Sequence, residues 1–386
     1  MIAGGGTGGH IFPGVAIAEA IESESPGAEV FFAGRRASLE ERVVSGTGRR
    51  FVPVPSMGLR RKADVRNAVV PFVVAAGYAA AFSVLVRGRP NVAVGTGGFV
   101  SVPPLLAADT LRVPLLLQEQ NSYPGLATRL LAGRAREVHV SFEEAEKHLP
   151  RARRVVLSGN PVRASLGTVD RREARRALGL SDSALVVLCV GGSGGAHRLN
   201  VAVAGAALRL AGMGVELLIQ TGRDDEGLVR KAVGGDMKAV VAPFFDDMAS
   251  AYAASDLIVS RAGATAIAEI KVVGRPSVLV PYPYATEGHQ MKNARAMESA
   301  GASVVVPDAE FTADVLVSLV GKLTEERGRL SAMADAARKL ARPDAAVRVA
   351  RAALALAGGT PRSDEATHAR DDEETRGGKY ERGFVG

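Results

Sequence analysis

Three glycine-rich turns carry the residue types in this sequence that point most directly to chemistry. They occupy residues 4–10, 95–98 and 191–195, and each follows a short apolar run. Glycine lets the backbone turn sharply and approach a ligand, and the helix after such a turn offers free N–H groups to a phosphate. One such turn also fits a dinucleotide fold or a plain strand-to-helix connection, whereas three in one chain favour a phosphate-rich ligand.

The surroundings of these turns argue against several other chemistries. An NAD-binding fold needs an acidic residue after its second strand, but residues 30–33 lead into Gly34, Arg35 and Arg36. No turn ends in the Gly-Lys-Ser/Thr of a kinase or ATPase. The sequence also has no Asp-x-Asp pair, His-x-x-x-His pair or cysteine cluster, so we predict neither a metal nor another cofactor.

The elements that must position these turns alternate between strands and helices. Short β-rich runs separated by longer helical patterns indicate βαβ units and parallel sheets. We expect strands near residues 2–3, 30–33, 92–95, 115–118, 138–141, 185–190, 216–221, 257–260, 278–281 and 303–306. Each half opens with a strand, a glycine-rich turn and a helix. The sequence therefore predicts an α/β protein of two doubly wound, Rossmann-like domains that face each other across a cleft.

The predicted domain boundary lies where Gly159, Asn160 and Pro161 interrupt regular structure. We assign residues 1–162 to the first domain and residues 163–357 to the second. Residues 358–386 are rich in glycine and charge and poor in apolar side chains, so we predict a disordered tail.

Charge and cysteine content narrow the partners and the compartment. The net charge of +7 and the pI of about 9.7 favour an acidic partner, such as nucleic acid, an anionic lipid surface or a phosphorylated substrate. Nucleic acid is disfavoured, because the chain has no tryptophan and only 5% aromatic residues for stacking.

Cys189 lies in an apolar run, which favours a buried structural thiol over a nucleophile, and one cysteine suits a reducing cytosol. Glycines and His10 follow Met1 closely, so we expect no secretory signal.

Considered together, the motifs resemble the MurG family of glycosyltransferases. The matching segments, in chain order, are residues 4–14, 97–101, 119–121, 159–163, 191–196, 246–248, 261–264, Glu269, 289–290 and Asn293. The resemblance implies a GT-B fold and metal-independent, inverting transfer of N-acetylglucosamine. The implied donor is UDP-N-acetylglucosamine. The implied acceptor is the muramoyl 4-hydroxyl of undecaprenyl-diphospho-N-acetylmuramoyl-pentapeptide, the step from lipid I to lipid II in peptidoglycan synthesis.

The resemblance also implies a set of residues that bind the donor. They are Thr7, Gly8, Gly9, Asn121, Arg163, Ser193, Phe245, Ala264, Thr265, Ala266, Ile267, Ala268, Glu269 and Gln290. The first three would border the sugar, and Gln290 would lie near it. Ser193 would meet the diphosphate, and the backbone at Phe245 would face the uracil. Glu269 would accept hydrogen bonds from the ribose, although a carboxylate near a helix start is also a routine partner of the helix dipole.

Two residues are candidates for the catalytic base that the acceptor hydroxyl needs. His10 ends the first turn, and its ordinary pKa near 6.5 suits proton transfer, but it could instead only hydrogen-bond the turn or the acceptor diphosphate. Glu119 is the second candidate, and it could equally fix the geometry of its loop. Asp246 and Asp247 are expected to cap a loop.

Residues 68–86 form a nearly uncharged run between basic flanks that include Arg60, Arg66 and Arg87. Its length approaches a bilayer span, yet its alanine content and place in the domain favour a buried or partly exposed helix. Because such a strip suits docking on anionic inner-leaflet lipid, we predict a peripheral protein on the cytoplasmic side of the inner membrane.

Several positions depart from the family pattern and keep two alternatives open. The first strand is clipped, which suggests a start further upstream, and Phe99, Gly194, Ala262 and Ala266 replace residues that usually hydrogen-bond. The chain could therefore be another GT-B glycosyltransferase that acts on a soluble acceptor, or an inactive nucleotide-sugar-binding protein.

Overall fold

Two parallel β-sheets form from the apolar runs of the sequence. The computed structural model describes residues 1–57, 68–192, 194–234, 237–285, 288–326 and 328–358. Strands that are buried on both faces read as continuous apolar runs, which is why segments such as residues 185–190 were recognisable without alternation.

The first sheet has seven strands in the order β3-β2-β1-β4-β5-β6-β7. They are β1 (Ile2–Gly4), β2 (Phe31–Gly34), β3 (Arg50–Pro53), β4 (Ala93–Gly97), β5 (Leu115–Glu119), β6 (Glu137–Val140) and β7 (Val155–Leu157). The accompanying helices are α1 (Gly8–Glu24), α2 (Leu39–Gly46), α3 (Val70–Gly88), α4 (Val102–Thr110) and α5 (Leu126–Leu131), with 3-10 helices at Phe99–Ser101 and Glu143–His148. Although β1 has only three residues, it pairs with both β2 and β4.

The second sheet has six strands in the order β10-β9-β8-β11-β12-β13. They are β8 (Leu185–Val190), β9 (Val215–Gln220), β10 (Ala239–Ala242), β11 (Leu257–Ser260), β12 (Ser277–Leu279) and β13 (Ser303–Val305). The helices are α6 (Arg171–Ala177), α7 (His197–Gly212), α8 (Glu226–Val233), α9 (Met248–Ala254), α10 (Ala264–Val273), α11 (His289–Ser299), α12 (Ala313–Glu325), α13 (Arg329–Lys339) and α14 (Ala345–Leu356), with a 3-10 helix at Asp308–Glu310.

The predicted fold class is confirmed, since both sheets are parallel and doubly wound. The strand order reverses between β1 and β4 in one sheet and between β8 and β11 in the other. Open α/β sheets bind ligands at such a reversal, outside the carboxyl ends of the strands. The three glycine-rich turns follow β1, β4 and β8, so they lie at these two points.

All ten predicted strands are present, with ends that differ by at most two residues. The three strands that the sequence analysis missed, β3, β7 and β10, each lie at the edge of a sheet. An edge strand packs against fewer neighbours and tolerates charge and proline, as Arg50 and Pro53 in β3 illustrate. Its pattern is therefore weaker than that of a central strand.

The last helix crosses back to the first domain. Residues 345–356, which the predicted range 163–357 assigns to the second domain, bury Val349, Ala350 and Ala353 in one apolar cluster with Ile17 of α1. The first domain is therefore assembled from both ends of the described chain. The predicted tail begins at Gly358, and residues 359–386 lie outside the described residues.

Cys189 lies in β8 with no exposed surface, as the sequence analysis expected. Burial raises the pKa of its thiol to about 12. Roughly one molecule in 10⁴ would then carry the reactive thiolate at pH 8. We expect no reaction of the native protein with Ellman's reagent over minutes at pH 8, and complete reaction in 8 M urea. Rapid labelling of the native protein would contradict the burial of this thiol.

Candidate active site

The carboxyl ends of the two sheets face each other, and direct contacts join them. Thr265, at the start of α10, donates a hydrogen bond from its hydroxyl to the Gly9 carbonyl oxygen over 3.2 Å and accepts one from the Asn160 amide over 3.3 Å. The rings of Phe12 and Phe244 stack with centroids 6.4 Å apart. The predicted sugar-bordering turn and the helix that carries the predicted donor residues 264–269 therefore meet in one cleft.

His10 lies in the first turn of α1 and is half-buried. Its Nδ1 atom is 3.0 Å from the Gly5 carbonyl oxygen and 3.1 Å from the Thr7 hydroxyl. Because a carbonyl oxygen can only accept, we assign the proton of the neutral ring to Nδ1. This tautomer leaves Nε2 with a free lone pair, which is the arrangement that a general base requires.

The second glycine turn holds the His10 ring from the other side. Gly97 and Gly98 have φ values of +96° and +79°, which side-chain-bearing residues rarely adopt. A Cβ atom on Gly97 would lie 2.9 Å from the His10 ring, and one on Gly98 would overlap the Gly5 carbonyl oxygen. The two turns thus fit around one imidazole, so Gly97 and Gly98 leave room for the predicted base.

Burial is the main cause that lowers the pKa of His10 from its ordinary value of 6.5. The charge of Glu119, the hydrogen bond to Gly5 and the charge of Glu40 oppose this shift without reversing it. His10 is therefore neutral at pH 7, in the form that can accept a proton.

Glu119, the second base candidate, lies at the end of β5 and is 2% exposed. Its carboxylate accepts hydrogen bonds from the backbone N–H and the side-chain amide of Asn121, over 3.0 and 3.1 Å. It also accepts from the Gly125 N–H over 3.0 Å and from the Thr128 hydroxyl over 2.6 Å. Four donors from the loop after β5 and from the start of α5 favour the interpretation that Glu119 fixes loop geometry and orients Asn121.

Glu40 is a supporting residue that the sequence analysis missed. Its carboxylate is 1% exposed and accepts hydrogen bonds from the backbone N–H groups of Gly6 and Arg35, both over 3.3 Å. It therefore ties the turn after β1 to the turn after β2. Nothing in the local pattern distinguishes Glu40 from an ordinary acidic residue at a helix start, where Glu41 also stands.

Glu269 lies on the second domain, in the middle of α10, and is 8% exposed. Its carboxylate accepts a hydrogen bond over 3.0 Å from the hydroxyl of Tyr252, a second residue that sequence reasoning missed. Burial raises the pKa of Glu269, while the charge of Arg163 and the Tyr252 hydrogen bond oppose the rise. Glu269 lies beyond the first turn of α10, so the helix-dipole alternative loses its geometric basis.

Arg163, a predicted donor-binding residue, has a position that suits an anionic ligand. Its guanidinium lies over the Phe12 ring, 5.1 Å from the centroid, and so it reaches from the second predicted domain to α1. Within the described chain, its buried Nε atom has no hydrogen-bond partner. A buried donor without a partner is costly, and an anionic ligand would satisfy it.

The remaining predicted donor residues have varied surroundings. The Phe245 N–H donates to the Gln220 side-chain oxygen over 3.0 Å, and the Gln220 amide donates to the Gly192 carbonyl over 3.2 Å. Gln220, another residue that the sequence analysis missed, thus joins the second-domain glycine turn to the predicted uracil contact. The side-chain oxygen of Gln290 accepts from the Tyr282 N–H over 2.9 Å. Ser193 lies outside the described residues.

Asp247, which the sequence analysis expected to cap a loop, caps helix α9. Its side chain accepts a hydrogen bond from the Ser250 N–H over 3.0 Å at the start of α9.

Helix α3 presents an apolar face on the surface of the first domain. Gly77, Ala81 and Leu85 are buried on one side, where the helix packs on α4. On the other side Phe72 is 75% exposed. Within the described residues, α3 is the one helix long and apolar enough to cross a membrane, and only 22% of its most apolar window is buried. The basic flank that contains Arg60 and Arg66 lies outside the described residues.

Comparison with known proteins matches both halves of the chain to one family. Residues 1–140 match the glycosyltransferase family 28 N-terminal domain, and residues 186–349 match the glycosyltransferase family 28 C-terminal domain. The UDP-N-acetylglucosamine--N-acetylmuramyl-(pentapeptide) pyrophosphoryl-undecaprenol N-acetylglucosamine transferase of Chlorobaculum tepidum is 41% identical over 360 residues, which cover 92% of this chain and 98% of the relative. The protein of the same name from Salinibacter ruber is 42% identical over 361 residues, which cover 92% and 96%. The crystal structure of Acinetobacter baumannii MurG is similar with a TM-score of 0.68 and 28% identity, over 92% of this chain and 98% of that chain.

The fold and the cleft define a two-domain glycosyltransferase of the GT-B type. The two relatives are each more than 40% identical to this chain, and the matches cover nearly the whole length of each relative. The chain belongs to glycosyltransferase family 28 and, within it, to the MurG family.

Proposed function

We propose that this protein transfers N-acetylglucosamine from UDP-N-acetylglucosamine to the muramoyl 4-hydroxyl of undecaprenyl-diphospho-N-acetylmuramoyl-pentapeptide, with inversion. This reaction converts lipid I to lipid II and serves cell-wall synthesis, and through it cell shape and division. The observation that carries the proposal is the match at about 40% identity, over nine tenths of the chain, to relatives named for this transfer. The contact of Thr265 with Gly9 supports it, because it joins the two predicted halves of the site.

The chemistry is a single displacement at the anomeric carbon. The acceptor hydroxyl oxygen forms a bond to that carbon while the bond to the diphosphate oxygen breaks. The hydroxyl proton passes to Nε2 of His10, and the electron pair of the broken bond leaves with UDP. The N-terminus of α10, the Arg163 guanidinium and the backbone of the turn after β8 would meet the charge on the leaving group.

The protein would work at the cytoplasmic face of the inner membrane, as a peripheral protein, because its acceptor is anchored in lipid. The exposed face of α3 supports this placement, and Arg87 at its carboxyl end supplies positive charge. Anionic inner-leaflet lipid is the partner that such a face fits. Nucleic acid is not a proposed partner.

Transfer of labelled N-acetylglucosamine from the UDP-sugar to a lipid-linked muramoyl acceptor tests the function directly. We expect turnover with the lipid-linked acceptor in vesicles and little with soluble muramoyl peptides. Turnover only on a soluble acceptor would support a different GT-B glycosyltransferase. Binding of the UDP-sugar without transfer to either acceptor would support an inactive nucleotide-sugar-binding protein.

Replacing Glu269 by alanine is expected to weaken UDP binding by about 10-fold or more. The reason is the loss of hydrogen bonds between a charged acceptor and the ribose, which contribute about 1.5–3 kcal/mol. Because the pKa of Glu269 is raised, we also expect UDP binding to the unaltered protein to weaken as the pH falls through that value. Isothermal titration calorimetry measures both effects. Tyr252→Phe, which keeps the carboxylate, is the matched control, and an unchanged affinity in Glu269→Ala would refute the ribose contact.

Replacing Phe72 by serine should weaken binding to phosphatidylglycerol vesicles by about 10-fold, since burial of a phenylalanine side chain contributes about 1.5–3 kcal/mol. Vesicle cosedimentation measures the loss. Leu208→Ser is the matched control, because Leu208 is similarly exposed, at 73%, on the second domain. Equal loss in both variants would show that α3 is not the docking face.

A further inference from the structure

A cavity lies at the amino ends of the strands of the second sheet, on the side away from the glycine turn of the donor site. Its arginine side chains carry more positive charge than its carboxylates neutralise. It lies at the amino ends of β8 and β12, has a volume of about 470 Å³ and opens to solvent. Arg171, Arg275 and Arg338 line it together with Asp256. Strand β8 has six residues, so this edge is about 20 Å from the glycine turn of the donor site.

The carboxylate of Asp256 already accepts three hydrogen bonds. One oxygen accepts from Arg171 over 2.5 Å, and the other accepts from the fully buried Arg175 over 2.6 Å and from the Val186 N–H over 2.9 Å. Asp256 is therefore shared between Arg171 and Arg175, and among the described residues it forms no hydrogen bond with Arg275.

Arg275 forms no ion pair with any described residue. Its Nη2 atom donates to the Ala253 carbonyl over 3.0 Å, but its buried Nε atom has no partner within the described chain. Burial, and then the charges of Arg171, Arg338 and Arg175, lower the pKa of Arg275, while Asp256 opposes them. A buried donor surrounded by like charge is unfavourable, and an anion would relieve both the missing hydrogen bond and the repulsion.

Arg338 is held at the mouth of the cavity. Its guanidinium donates to the Gly274 carbonyl over 3.1 Å and to Asp335 over 2.5 Å. Gly274 ends α10 with a φ of +61°, and a Cβ atom there would collide with the Arg338 side chain. Among the described residues, this cluster has four guanidinium groups and two carboxylates, Asp256 and Asp335, which leaves an excess of two positive charges. Arg171 and Arg175 pair with Asp256, and Arg338 pairs with Asp335.

We propose that this arginine cavity is a second anion site, which binds a phosphate or diphosphate group through Arg275 and Arg338. Guanidinium groups form paired, charge-assisted hydrogen bonds with phosphate oxygens, so the ligand class follows from the side chains. The site is separate from the donor cleft, and the proposal does not depend on the glycosyl transfer. The phosphate could belong to a soluble compound or to a lipid headgroup.

Calorimetric titration with inorganic diphosphate tests the site. The protein is saturated with UDP to fill the donor cleft, and sodium chloride holds the ionic strength constant. We expect one binding event, weakened at least about 10-fold in Arg275→Gln/Arg338→Gln. Arg209→Gln, which removes an exposed arginine elsewhere on the domain, should bind as the unaltered protein does. Absence of binding, or equal binding in the double variant, would overturn the proposal.

Two further arms complete the experiment. The single variant Arg338→Gln serves if the double variant does not fold, because the Arg338 side chain is 52% exposed and its replacement should be tolerated. This variant too should weaken diphosphate binding. Repeating the titration on protein bound to phosphatidylglycerol vesicles distinguishes the sources. If the diphosphate signal that requires Arg275 and Arg338 disappears on vesicles, a lipid phosphate occupies the site. If the signal persists, the ligand is a soluble phosphate.

Discussion

Replacing His10 by alanine is expected to lower kcat by about 10²-fold or more, because general-base catalysis contributes about 10²–10⁴-fold. The Michaelis constant for UDP-N-acetylglucosamine should change little, since the predicted uracil and ribose contacts, Phe245 and Glu269, lie on the second domain. The fold should persist, because the hydrogen bonds of the half-buried imidazole to described residues all go to the turn of residues 5–7. Steady-state kinetics on the lipid-linked acceptor, with circular dichroism to verify folding, measures the effect.

The pH dependence separates catalysis by His10 from a supporting role. The neutral ring is the active form and its pKa lies below 6.5, so kcat should be constant near pH 7–8 and fall as the pH falls through that pKa. The acidic limb that His10 causes should disappear in His10→Ala. Glu119→Gln is the informative companion: its four hydrogen bonds predict a loss of stability and a smaller loss of kcat. An unchanged pH profile in His10→Ala, with a larger kcat loss in Glu119→Gln, would reverse the assignment.

Replacing Arg175 by alanine should lower the free energy of unfolding by about 3–5 kcal/mol, the usual cost of removing one partner of a buried ion pair. Arg175 has no exposed surface, and its guanidinium donates to Asp256 and to four backbone carbonyls. Those carbonyls belong to Ala254, Ser181, Asp182 and Ala184. The substitution would leave all five acceptors without this donor and would open a cavity beneath α6.

Thermal denaturation measures this cost, and the midpoint should fall by on the order of 10 °C. Arg209→Ala is the matched control, because its ion pair with Asp314 is exposed and should contribute at most about 1 kcal/mol. If Arg175→Ala were as stable as Arg209→Ala, the ion pair and hydrogen bonds of the buried Arg175 guanidinium would not stabilise the fold as we infer.

The central strands and the glycine turns were predictable because their constraints are local. A strand buried on both faces must be apolar along its whole length, and a backbone with φ near +90°, as at Gly97, strongly favours glycine. The base candidate His10 was predictable for a related reason, since it stands at the end of such a turn. The ordered family motifs then supplied the donor residues, Glu269 among them.

The supporting residues were not predictable, because their roles arise only from tertiary contacts. Glu40 reaches a turn 34 positions away in sequence, and Tyr252 meets Glu269 across 17 positions. Neither residue differs from its neighbours in type or spacing. Arg175 likewise belongs to a charged helix whose pattern suggests a solvated surface, yet it is fully buried. The edge strands escaped notice because one open side relaxes the demand for apolar residues.

The return of α14 to α1 has a consequence for biosynthesis. The ribosome makes the apolar face of α1 well before the residues that cover it, because Val349, Ala350 and Ala353 follow more than 300 positions later. The domain that emerges first can therefore complete its core only after its neighbour has been translated. During that interval Ile17 and its neighbours lack their covering helix and must not associate with other apolar surfaces. The first domain is therefore a natural client of chaperones.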